Sequence, residues 1–61
     1  MIKETYINDQ VRVRLYEQGL GFKIAVEQGA AWESGSWYYA PTRENALREF
    51  DAMVTTEMHY C

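Results

Sequence analysis

The chain has 61 residues, a net charge of −3, one cysteine and one histidine. That length makes a single domain whose core supplies only about 3–5 kcal/mol of net stability, and two common reinforcements are missing. A lone cysteine forms no internal disulfide, and Cys61 with His59 falls short of the four ligands of a structural zinc site, so no metal and no cofactor are expected.

In chain order, Met1-Ile2-Lys3-Glu4-Thr5 turns charged at once, unlike a secretory leader. No stretch approaches the ~20 apolar residues that cross a bilayer. The expectation is a protein with no membrane contact in a reducing cytoplasm, its Cys61 thiol able to cross-link two chains on oxidation. Residues 2–7 are a candidate strand, closed by the turn chemistry of Asn8-Asp9.

Val11, Val13 and Leu15 then alternate with Arg12, Arg14 and Tyr16, the period of a half-buried strand. Phe22, Ile24 and Val26 alternate with Lys23, Ala25 and Glu27 beyond Glu17-Gln18-Gly19-Leu20-Gly21. Two such runs across a short glycine-bearing loop predict a β-hairpin. Gln28-Gly29-Ala30 and Glu33-Ser34-Gly35 read as turns, with Ala31-Trp32 open between strand and loop. Ser36-Trp37-Tyr38-Tyr39-Ala40 suits a further strand.

Pro41-Thr42 announces a helix: Thr42 is a good N-cap, and Glu44 in the first turn suits the helix dipole. Ala46, Leu47, Phe50, Met53, Val54 and Met58 recur at helical spacing as one apolar stripe. Arg43, Glu44, Arg48, Glu49 and Asp51 take the other side, with Glu44 and Arg48 suited to an i,i+4 pair. This stripe is the only cover available for Val11, Val13, Leu15, Phe22, Ile24 and Val26. The expected fold is therefore α+β: a three- or four-stranded antiparallel sheet packed on one C-terminal amphipathic helix, residues 1–61 forming one domain.

Catalytic chemistry finds little material. Ser34 and Ser36 have no base marked out for them by the sequence pattern, His59 stands near the chain end with no acid that the pattern singles out to orient it, and Glu17, Glu27 and Glu33 read as surface carboxylates. Gly19-Leu20-Gly21 is a hairpin loop and no phosphate cradle. The chain is expected not to be an enzyme.

One helix covers one face of a sheet. The other face carries Arg12, Arg14, Tyr16 and Lys23, joined by Trp37 and Tyr39 if the last strand alternates with them. Tyr, Trp and Arg are enriched at binding hot spots, so these six residues are the candidate partner-binding surface. The competing explanation is structural, because cross-strand Arg–aromatic stacking stabilises an exposed sheet with no partner at all.

The run Arg12-Val13-Arg14-Leu15-Tyr16-Glu17-Gln18-Gly19 followed by Phe22-Lys23-Ile24-Ala25-Val26-Glu27, in a short acidic chain ending in a helix, resembles small phage-encoded inhibitors of bacterial defence, the anti-CRISPR proteins among them. The resemblance is one of layout over most of the chain. It implies a non-enzymatic inhibitor that binds a host protein effector in the host cytoplasm.

Tyr39-Ala40-Pro41-Thr42-Arg43-Glu44-Asn45-Ala46-Leu47 also resembles the step from third strand to helix in three-stranded-sheet DNA readers, such as the plant ethylene-response-factor domain and the arm-binding domain of phage integrases. That would set Arg12, Arg14 and Lys23 against bases or phosphates. Three cations on an acidic chain are a thin supply for phosphate neutralisation, so nucleic acid ranks behind protein as the partner. A self-associating chain, as a homodimer, is the third reading.

Overall fold

The computed structural model describes residues 1–60, with the backbone alone for Tyr60; the expected cross-linking thiol of Cys61 lies outside the described residues. Four strands, β1 (Lys3–Asn8), β2 (Val11–Gln18), β3 (Gly21–Gln28) and β4 (Glu33–Ala40), precede one helix, α1 (Arg43–Tyr60). The sheet is antiparallel in the order β1-β2-β3-β4, so β1 and β4 are its edges. The expected α+β architecture, a sheet on one C-terminal helix, is what forms, with four strands.

Turn chemistry sets each connection. Gln10 N donates to Asn8 Oδ1 at 2.8 Å, an Asx turn between β1 and β2. Gln18 pairs with Gly21, leaving Gly19 and Leu20 as a two-residue loop, with Gly19 at φ +63°. A positive φ at the first loop position matches the twist of the flanking strands. Gly21 is needed for a different reason: a Cβ there would stand 2.7 Å from the Ala40 carbonyl oxygen and 2.9 Å from the Tyr39 ring.

The third connection departs from expectation. Residues 33–35 are strand and no turn, and Ala31-Trp32 belongs to the loop. Ala25 pairs with Trp37 while Glu27 pairs with Ser34, so β4 uses one residue more than β3 over that stretch. A β-bulge absorbs the extra residue and lets Gly35 sit within a strand.

Val13, Leu15, Ile24, Val26, Ala40, Ala46 and Phe50 form the buried cluster, with Ile7, Val11, Phe22, Leu47, Met53 and Val54 packed around it. Thr42 caps α1: its Oγ1 accepts from Asn45 N at 3.2 Å and its carbonyl from Ala46 N at 2.9 Å. Thr55 and Thr56 donate their hydroxyls to the carbonyls of Asp51 and Ala52, both at 2.9 Å, satisfying these hydroxyls within the helix. Two expectations fail on the helix. Met58 is 63 % exposed, one turn past Val54, where core packing ends. Glu44 and Arg48 form no ion pair among the described residues.

Candidate partner-binding face

Residues directly opposite in paired strands share a face of the sheet. The register therefore sorts the side chains into cross-strand rows. Leu15, Ile24 and Tyr38 lie on the helix side, whereas Tyr6-Arg12-Glu27, Glu4-Arg14-Ala25-Trp37 and Tyr16-Lys23-Tyr39 form three rows on the outer side. All six candidate residues thus share one face. Trp37 and Tyr39 are outward and Tyr38 is turned toward the helix.

The first row is a closed polar cluster. Arg12 Nε lies 2.6 Å from Glu27 Oε1, and its Nη1 donates to Tyr6 Oη at 3.3 Å. Its guanidinium carbon stands 4.2 Å from the Trp32 ring centroid and 5.9 Å from that of Tyr6. Trp32 and Tyr6 meet edge to face at 5.7 Å. Desolvation alone would lower the Arg12 pKa, but the hydrogen bonds to Tyr6 and Glu27, with the Glu27 charge, outweigh it and raise the value above the ordinary one. Trp32 reaches this position in the left-handed region, at φ +54°, unusual for a bulky residue.

In the second row, Arg14 Nε lies 3.1 Å from Glu4 Oε2, and its Nη1 is 3.7 Å from Glu27 Oε1. Ala25 faces outward, as its place in the alternation implies, yet is fully buried. It sits in register between Arg14 and Trp37, two much larger side chains on the same face.

The third row lacks the ion pairs of the first two among the described residues. Lys23 forms no ion pair among the described residues; its Nζ stands 5.1 Å from the Trp37 ring centroid. Tyr39 donates its hydroxyl to the Gln18 carbonyl at 2.7 Å, which fixes the ring over the hairpin end. Trp37 is 58 % and Tyr39 43 % exposed. Tyr16 is half-buried beside an open depression shared with Met1, Ile2 and Arg14.

The face thus divides. Arg12 and Arg14 have their charges engaged by Glu27 and Glu4, while Lys23, Trp37 and Tyr39 are available. Sequence reasoning gave Trp32 no definite role, although it caps Arg12. It also had no access to the edge position of β4, because strand order is a tertiary property. No known protein family, curated protein or solved structure matches the chain. No helix of the described residues is long and apolar enough to cross a membrane.

Proposed function

We propose that this chain is a non-enzymatic protein-binding module whose contact surface is Lys23, Trp37 and Tyr39, with Tyr16 at its margin. The observation that carries this reading is the pair of exposed aromatics, Trp37 and Tyr39, in adjacent rows with Lys23 over the Trp37 ring. Large aromatic surface and a cation with no ion pair among the described residues, held on a paired sheet, bring contact area with little ordering cost on binding. An inhibitor that occludes a surface of a host defence effector, as the resemblance implies, is one form such a module takes. Duplex binding is less well supported. Arg12 and Arg14 would have to leave Glu27 and Glu4 before neutralising a phosphate.

The test is affinity capture from the cells that produce the chain, comparing wild type with Lys23→Ser/Trp37→Ser/Tyr39→Ser, with circular dichroism as the fold control. A protein held by wild type and lost from the folded variant is the expected result. A protein held equally by both places binding elsewhere, and none held by either overturns the reading.

A further inference from the structure

Among the described residues β4 has no strand neighbour on its outer side. Alternate backbone N–H and C=O groups of an edge strand point away from the sheet and template another strand. Protein edges are usually blunted by Lys, Pro or a bulge. β1 has Lys3, tied to Asp51 at 3.7 Å, and a bulge between Tyr6 and Asn8. On β4 the bulge and Glu33 lie before Trp37, while residues 37–40 pair regularly with β3 and contain no charge and no proline.

Between β4 and α1, at Ser36 just before this regular stretch, lies an open groove of about 280 Å³. Val26, Ala52 and Met53 are its apolar lining, with the small Ser36 beside them. Its lining holds two carboxylates, Glu49 and Glu57, and no base. Neither carboxylate forms an ion pair among the described residues. A strand added to β4 would turn every second side chain toward the helix, and the one opposite Ser36 would enter this groove.

We propose that the β4 edge and this groove take an extended segment of a partner protein as a fifth strand, with basic residues at positions i and i+4 and an apolar residue between them at i+2. The proposal rests on the reading of the chain as a protein-binding module and names the kind of partner. Glu49 and Glu57 are separated by about 12 Å of helix at 1.5 Å per residue. Four residues of strand span about 13 Å, so a strand running along the helix flank brings its two cations to the two acids and its central apolar side chain over Ala52 and Met53. The intervening side chains emerge on the outer face beside Trp37 and Tyr39.

Charge also decides against a second copy as the occupant. Two β4 edges paired about a two-fold axis would keep both helices on the same side of a continuous sheet. Their Glu49 and Glu57 flanks would then face each other, and β4 itself contributes only Glu33 and no cation.

The test uses the full chain and the synthetic peptide Thr-Lys-Thr-Val-Thr-Lys-Thr, with Thr-Glu-Thr-Val-Thr-Glu-Thr as control, read by amide chemical shifts and amide exchange. The lysine peptide is expected to shift and protect amides of residues 37–40 and to shift those of Glu49, Thr56 and Glu57. Glu49→Gln/Glu57→Gln should weaken it by about tenfold, which is about 1.4 kcal/mol. N-methylation of alternate peptide amides should abolish the β4 protection. Equal binding of both peptides, shifts away from β4, or no binding overturns the proposal, as does a β4-paired dimer of the free chain. A partner lost on the Lys23, Trp37 and Tyr39 replacement would then still stand, so the two readings fail separately.

Discussion

Arg12 and Glu27 face each other across β2 and β3 with Nε and Oε1 2.6 Å apart, and the same carboxylate oxygen stands 3.7 Å from Arg14 Nη1. One acid thus serves two guanidiniums. Glu27→Gln should destabilise the fold in urea denaturation at low salt. The deficit should narrow in 1 M salt, where the screening length falls to about 3 Å. The variant also releases cationic charge on the outer face, so weak, salt-sensitive binding to duplex DNA should emerge where wild type has less.

Trp32 combines a costly backbone with a useful ring. At φ +54° a residue with a Cβ is disfavoured by about 1–2 kcal/mol relative to glycine. Trp32→Ala keeps that strain and removes the contact with Arg12, whereas Trp32→Gly removes both. The glycine variant should therefore be the more stable of the two, by about 1 kcal/mol in urea melts. Equal midpoints would show that the loop relaxes.

Gly21 and Gly29 separate steric from conformational need. Gly21→Ala drives a Cβ to 2.7 Å from a backbone oxygen, so β4 must move. Gly29→Ala meets nothing within 4 Å and bears only its positive φ of +82°. The first should cost more than the second, which should cost about 1–2 kcal/mol. Only Gly21→Ala should speed amide exchange in residues 37–40.

Phe50 fixes the helix to the sheet and is 1 % exposed. Phe50→Ala should cost about 3–5 kcal/mol, comparable to the whole stability of so small a domain, and leave the chain unfolded at 25 °C by circular dichroism. Asp51→Ala breaks only the exposed pair with Lys3 and should stay within about 0.5 kcal/mol of wild type.

The hairpin and the helix were legible because period and cap chemistry are local. Even the Arg12–Glu27 pair lay within reach. With Gly19 and Leu20 as the loop, Gln18 opposes Gly21, and counting rungs outward brings Arg12 to Glu27. Residues 33–35 misled because their turn-forming composition is also tolerated in a bulged edge strand. Ala25 shows that period two assigns a face but no depth: it faces outward in register with Arg14 and Trp37 and is still fully buried. Met58 continued the apolar spacing past the point where the helix has a sheet beneath it.

The order β1-β2-β3-β4 repeats the order of the chain, and every strand pair is joined by two to four residues of loop. No long loop has to close before the sheet forms, so refolding is expected within about milliseconds. During synthesis the sequence of events is less forgiving. The hairpins leave the ribosome before α1, and until Phe50 follows them Val13, Leu15, Ile24 and Val26 form an uncovered apolar sheet. That interval is when the nascent chain is most open to aggregation or chaperone capture.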